Sequence, residues 1–268
     1  MIVDGKQIAG EIIEALAQER KALKPVIKLG VLMGERDAAA HSFVRIKERV
    51  AEKLGVVLVR EELLPEAGTQ TAQRALARLC ENADGVIVQL PLPKRVEIDA
   101  LLADLPAHRD VDGIVQIAGG IVRSPVAEAV SEVLARTGVS ALGKKAVVVG
   151  AGRLVGLPVA ELLRELGAKV SIVTETQSSL EELLHADIAV LGAGKPHFIK
   201  PPMLKEGVVL IDAGTSDAGG AGGALAGDAD PECAKVASVF TPVPGGIGPI
   251  AVSMIFKNLF LLVRQTNS

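Results

Sequence analysis

Apolar positions along the first half of the chain switch repeatedly between a helical spacing and short buried runs. Residues 6–23 place Ile8, Ile12, Ile13 and Leu16 on one helical face, predicting an amphipathic helix that stops near Pro25. Residues 26–33 read as a buried strand, ended by Gly34-Glu35-Arg36-Asp37. A second amphipathic helix is expected over 40–54, closed by Gly55, followed by a strand over 56–59. A helix over 69–80 comes next, then a strand over 85–90 that runs into Pro91-Leu92-Pro93. A short helix over 98–105 precedes the loop His108-Arg109-Asp110-Val111-Asp112-Gly113. Strands alternating with helices imply parallel pairing through right-handed crossovers, so the first 120 residues form one α/β layer.

A joint is expected near Gly119-Gly120, and a helix over 125–137 leads into a second α/β segment. Its strands include 186–191 and 207–212, while the Gly/Ala-rich tract 214–227 reads as a mobile surface loop. From Pro249 the chain resumes a strongly apolar helix with Ile255, Phe256, Leu259, Phe260 and Leu262. Such a helix must be covered, either by the first domain or at a subunit contact.

The stretch 144–175 carries the most specific signal. The apolar run Ala146-Val147-Val148-Val149 stops at Gly150-Ala151-Gly152, and Arg153-Leu154-Val155-Gly156-Leu157-Pro158 opens an amphipathic segment. A second run, Val170-Ser171-Ile172-Val173-Thr174, ends on Glu175. Glycines let the backbone turn tightly against a pyrophosphate, whose charge meets the N–H groups of a helix N-terminus. An acid after the second strand can accept hydrogen bonds from a ribose 2′-OH. The third glycine falls one place later than in G-x-G-x-x-G, and any parallel α/β protein has glycine at such turns. The strand–turn–helix–strand–acid context favours nucleotide binding. The fold class expected is thus α/β, with two α/β domains and a cleft between them, the second a Rossmann-like dinucleotide-binding domain. Its bounds are 121–248, with 1–120 plus a C-terminal helix 249–268 forming the other domain.

Composition removes several alternatives. Among 268 residues there are 28 Gly, 14 Pro and five Phe, with neither Trp nor Tyr, so the core must be aliphatic. A net charge of −3 without a basic block argues against a nucleic-acid surface. Cys80, Cys233 and four scattered His show no metal or disulfide spacing, so no metal is expected. The start of the chain shows no signal-peptide pattern, and the apolar runs are strand-sized, short of the roughly 20 residues that span a bilayer. A cytoplasmic protein without a membrane partner is expected.

Three polar residues of the first domain stand where solvation alone does not explain them. Lys47 lies four residues after Phe43 on one helix face. Gln89 ends an apolar strand, and strand C-termini line ligand crevices in open α/β sheets. Asp112 follows Asp110 in a tight Val-Asp-Gly loop. Separately, each has a bland reading: a solvated helix charge, a strand-end cap, a turn residue. The segment Thr241-Pro242-Val243-Pro244-Gly245-Gly246-Ile247-Gly248-Pro249 fits neither a helix nor a central strand and would hold backbone groups rigidly beside a ligand.

Together with these, the chain resembles the methylenetetrahydrofolate dehydrogenase/methenyltetrahydrofolate cyclohydrolase family over nearly its whole length. The resemblance rests on Asp4-Gly5-Lys6, Ser42-Phe43-Val44-x-x-Lys47, Gln89-Leu90-Pro91-Leu92-Pro93, Asp110-Val111-Asp112-Gly113 and Val155-Gly156-x-Pro158. It continues through Ala186-Asp187-Ile188, Gly194-Lys195-Pro196, Gly227-Asp228 and the Pro/Gly segment from Thr241. It implies a cytoplasmic, homodimeric enzyme of one-carbon metabolism whose cleft holds a tetrahydrofolate derivative against NAD or NADP. Lys47 would be the central catalytic group, Gln89 would orient it, and Asp112 would grip the pterin. Phe43, Pro244, Gly245 and Gly246 would line the folate site. Gly150, Ala151, Gly152, Arg153, Val155, Glu175 and Thr215 would bind the cofactor.

Three departures qualify that picture. Position 43 is Phe where the family has Tyr, which predicts that the dehydrogenase step survives and the cyclohydrolase step weakens. Glu175 would repel a 2′-phosphate, which predicts NAD over NADP, although the family mostly uses NADP and Arg153 could reach a phosphate. Val122-Arg123-Ser124-Pro125 replaces the usual Pro-Cys-Thr-Pro joint, with Ile250 and Ala251 in place of Met and Thr. Two other readings stay open: a different small-metabolite dehydrogenase of shikimate-dehydrogenase-like architecture, and a catalytically silent nucleotide-binding protein.

Overall fold

The computed structural model describes residues 1–35, 38–115, 122–174, 180–217 and 225–266, with the side chains of 38–43 outside that description. The chain divides into two compact units, residues 11–125 with 252–268 and residues 1–10 with 126–251.

In the first of these, β1 (Ile27–Gly34) lies between β2 (Val56–Leu63) and β3 (Gly85–Val88), and all pairing is parallel. Because strand side chains alternate, Ile27, Leu29, Val31 and Met33 of β1 share one face. That face packs in one core with Val44 and Ala51 of α2 (Ala38–Lys53), with Leu54 just after it, and with Ile255, Phe256, Leu259 and Phe260 of α7 (Ile247–Thr266). Helices α1 (Gly5–Arg20), α3 (Thr69–Asn82) and α4 (Ile98–Leu102) supply the other expected helical segments.

The apolar C-terminal helix therefore returns to the α/β layer, as its need for cover required. By length and composition alone α7 would pass for a bilayer span, with an 18-residue window of mean hydropathy 1.5, so the expectation of only strand-sized apolar stretches is corrected. Its apolarity has a physical reason: Phe256, Leu259 and Phe260 are buried in the protein's own core.

The second unit is a five-stranded parallel sheet in the order β10-β7-β6-β4-β5. The strands are β4 (Lys145–Val149), β5 (Lys169–Val173), β6 (Ile188–Leu191), β7 (Val209–Asp212) and β10 (Val239–Thr241). Helices α5 (Pro125–Arg136) and α6 (Gly156–Glu165) belong to this half of the sequence. Short 3-10 turns at Glu181–His185, Pro201–Met203 and Pro231–Lys235 lie between the later strands. Since β5 lies on one side of β4 and β6 on the other, the strand order reverses there, the place where such sheets receive ligands.

The chain's first residues extend this sheet. Val3 N–H donates to Phe240 O at 2.9 Å, and Phe240 N–H donates to Met1 O at 2.9 Å. The tract 214–227 was expected to be a loop that cannot pack, and its described ends correct this. β8 (Ser216–Asp217) pairs antiparallel with β9 (Leu225–Ala226), and Ala226 is buried. Residues 218–224 lie outside the described residues.

Candidate functional site

Helix α2 turns a stripe of Val44, Lys47 and Ala51 inward, continued by Leu54 just past its end, and all four are buried. A lysine on the apolar face of an amphipathic helix is the local anomaly that builds the site, with Lys47 only 8% exposed. Its Nζ donates to Gln89 Oε1 at 2.5 Å. Gln89 is placed by β3: its backbone N–H donates to Leu32 O of β1 at 2.8 Å, and its Nε2 donates to Leu90 O at 3.1 Å. The Leu90–Pro91 peptide that follows is cis.

Burial pushes the Lys47 pKa below the ordinary lysine range, since a desolvated ammonium is costly, while the negative charge of Asp112 opposes the shift. Asp112 responds in the opposite sense. Burial raises its carboxyl to about 6, Lys47 pulls it down, and Asp110 pushes it up. The three residues singled out in the sequence thus form one electrostatic unit within residues 11–125.

The loop carrying Asp112 is held by Asp110, a buried acid that sequence reading noted only as a neighbour. The Asp110 carboxylate accepts from Asp112 N–H at 3.1 Å and from Val115 N–H at 2.8 Å. Burial raises its pKa, and the surrounding N–H groups counter the rise. Gly113 completes the turn at φ +57°, where a side chain would be strained.

The second constellation follows β4. Gly150 has φ +95°, and a Cβ there would lie 2.7 Å from Gly192 O at the end of β6. A Cβ on Gly156 would lie 2.0 Å from Gly150 O, so the late third glycine is what seats α6 on the turn. Ala151, Gly152 and Arg153 are exposed, and a Cβ at Gly152 would meet nothing within 4 Å. Val155 caps α6 and packs where Gly192 leaves room. This cradle, at the reversal of strand order and at a helix N-terminus, fits the pyrophosphate of a dinucleotide. Thr215 is exposed just beyond β7. Glu175 and the Phe43 side chain lie outside the described residues.

Two buried acids brace the same edge of this sheet. Asp228 accepts from the N–H groups of Ala193, Gly194 and Lys195 at 2.6, 3.2 and 2.7 Å. Asp212 accepts from those of Gly214, Asp228 and Ala229 at 3.0, 3.2 and 2.8 Å. Burial raises both, Asp212 to about 7 with help from the negative charge of Asp228. Neither was a candidate from sequence. The glycines at 214 and 227, whose Cβ atoms would collide with these carboxylates, were the available signal. The Pro244-Gly245-Gly246 segment follows a cis Val243–Pro244 bond, with Gly245 at φ +106°. A Cβ on Gly5 would lie 1.8 Å from Gly246 O, which ties this segment to the start of α1.

Fold and sites define a class, the two-domain α/β proteins that join a parallel nucleotide-binding unit to a unit with a buried lysine. The family model for the tetrahydrofolate dehydrogenase/cyclohydrolase catalytic domain matches residues 3–112, and that for the NAD(P)-binding domain matches residues 124–267. The chain is 38% identical over 278 residues to the bifunctional protein FolD of Halothermothrix orenii, covering 96% of this chain and 95% of that one. The crystal structure of Trypanosoma brucei N5,N10-methylenetetrahydrofolate dehydrogenase-cyclohydrolase, solved with NADP and an inhibitor, superposes with a TM-score of 0.93 at 30% identity, covering 100% and 98% of the two chains. Shikimate 5-dehydrogenase of Thermus thermophilus shares the fold more distantly, with a TM-score of 0.55 at 19% identity over 90% of this chain and 99% of that one. The chain belongs to the tetrahydrofolate dehydrogenase/cyclohydrolase family.

Proposed function

We propose that the chain oxidises 5,10-methylenetetrahydrofolate to the 5,10-methenyl form with NAD(P) and hydrolyses that product to 10-formyltetrahydrofolate. The observation that carries this reading is the buried Lys47 ammonium, 2.5 Å from Gln89 Oε1. The family match supports the reaction pair, and it disfavours the shikimate-dehydrogenase-like and catalytically silent alternatives.

The roles follow from the chemistry of the groups. Asp112, ionised above about pH 6, accepts hydrogen bonds from the pterin amino and ring N–H groups. Lys47, with its pKa lowered by burial, gives up its proton more readily than an ordinary lysine, and Gln89 holds its Nζ in one direction. In the hydrolytic step the neutral Lys47 amine takes a proton from the water that adds to the methenyl carbon, the ammonium so formed returns it to N5 as the N5–carbon bond breaks, and the remaining hydroxyl proton leaves to solvent as the formyl group forms on N10. A bound nicotinamide supplies the two-electron acceptor for the first step. Gly150, Ala151, Gly152 and Arg153 hold its pyrophosphate, Val155 seats the helix behind it, and Thr215 lies beyond the neighbouring strand. Pro244, Gly245, Gly246 and the Phe43 ring line the folate.

We assign folate binding and catalysis to 1–120 with the C-terminal helix 249–268, and cofactor binding to 121–248. NAD is preferred over NADP, because the Glu175 carboxylate repels a 2′-phosphate. A homodimer in the cytoplasm completes the proposal. Mixing protein, methylenetetrahydrofolate and either cofactor, and following absorbance of reduced cofactor and methenyl product, tests the reaction. Production of neither overturns it, and a strong NADP preference overturns the Glu175 argument alone.

A further inference from the structure

Asp112 is carried by a loop. The loop that carries it enters beside β3, with Val86 N–H donating to Arg109 O at 2.6 Å. Val111 is fully buried, and its Cγ1 occupies the space where a Cβ on Gly85 would stand, 2.3 Å away. The peptide joining Val111 to Asp112 is the unit whose plane sets the direction in which the Asp112 side chain leaves the backbone. Its N–H is taken by Asp110 Oδ1 at 3.1 Å. Its carbonyl is taken from far along the chain, by Asn258 Nδ2 of α7 at 2.9 Å.

Asn258 does more than cap one carbonyl. Its Nδ2 also donates to Arg123 O at 2.9 Å. Both partners are carbonyls, which only the amide's NH2 end can satisfy. Arg123 passes close to Gly113, whose added Cβ would stand 3.0 Å from Arg123 C and Ser124 N. A single buried amide, 5% exposed on α7, thus joins the carbonyls of Val111 and Arg123. Aliphatic packing alone would not call for asparagine there, since a buried amide is tolerated only where its hydrogen bonds are made.

We infer that Asn258 is a positioning residue for folate recognition, fixing the Val111–Asp112 peptide so that the Asp112 carboxylate meets the pterin. The inference rests on Asp112 being the pterin-binding acid. Removing the amide frees the peptide plane on one side, and the carboxylate then samples directions that do not match the ligand.

The test is a double-mutant cycle on the full-length protein, read by direct binding of tetrahydrofolate and of NAD(P) together with steady-state kinetics. Asn258→Ala should raise the folate dissociation constant and KM about tenfold, lower kcat less, and leave cofactor affinity unchanged. In an Asp112→Ala background the same substitution should change folate binding less than twofold, because the group it positions is gone. Should Asn258→Ala prove insoluble, Asn258→Ser retains one donor and should show the same pattern at smaller amplitude. A lowered melting temperature with unchanged folate binding, or an equal loss in both backgrounds, would overturn the inference. If Asp112→Ala itself leaves folate binding intact, the role given to Asp112 fails instead, and that outcome is separable by the single variant alone.

Discussion

Lys47 Nζ and Gln89 Oε1 lie 2.5 Å apart, joining the buried face of a helix to the end of a strand 42 residues later. The lysine's environment lowers its pKa, and the amide oxygen partly restores the charged form by accepting from it. Gln89→Leu removes that acceptor. A hydrogen bond to a charged group is worth about 1.5–3 kcal/mol, so the Lys47 titration should move about one to two pH units lower and kcat should fall about tenfold or more. The pH profile of kcat/KM for both steps checks this, and an unmoved acidic limb contradicts it.

Asp112 supplies a second pH signature. Its carboxyl is raised to about 6, and the pterin contact proposed for it needs the ionised form. Folate affinity should therefore be constant above that value and fall about tenfold per pH unit below it. Cofactor affinity over the same range should not follow. Isothermal titration of each ligand between pH 5 and about pH 8 separates the two.

The glycines of the nucleotide turn should differ sharply in their tolerance of a methyl group. Gly156→Ala drives a Cβ into Gly150 O, so it should cost about 1–3 kcal/mol of stability together with cofactor binding. Gly152→Ala meets nothing within 4 Å, so its stability should stay within about 0.5 kcal/mol while cofactor affinity falls. Thermal melts with and without NAD(P) report both numbers.

Asp212 should make the protein less stable as pH rises. Its folded-state pKa of about 7 lies above the ordinary value of 3.8, so between them the folded chain binds the extra proton. Stability from this group is present at the acid end of that window and is lost towards pH 7, with a slope of at most about 1.4 kcal/mol per pH unit. Asp212→Asn should flatten that part of the curve in denaturant titrations. An unchanged slope would contradict the assignment.

Position 43 offers the mildest test. Phe43→Tyr restores a hydroxyl, and the cyclohydrolase rate should rise about three- to tenfold with the dehydrogenase rate unchanged. An unaltered cyclohydrolase rate removes the explanation offered for this substitution.

Much of the fold was legible because its elements are locally redundant. The α2 stripe repeats over three turns, and the apolar strands β1 and β4 are bounded by turn residues. What was not legible depends on distant partners. β10 is three residues long, too short to show a period, and it exists because β7 and the first residues of the chain pair with it. β2 runs on to Leu63 through Arg60, Glu61 and Glu62, since an edge strand can leave charged side chains outside. In the site, Lys47, Gln89 and Asp112 each interrupt an apolar pattern or sit at a strand end. Asn258 interrupts one too, but nothing local says that its partners are carbonyls 147 and 135 positions earlier.

The central claim is that a buried lysine, not the cofactor cradle alone, performs the chemistry. Lys47→Met keeps the stem and removes the ammonium, and the variant should be assayed for both steps beside its affinity for NAD(P). The account predicts loss of about a hundredfold to ten-thousandfold in kcat for each step with cofactor binding intact. A folded variant turning over within about tenfold of the parent protein would contradict it.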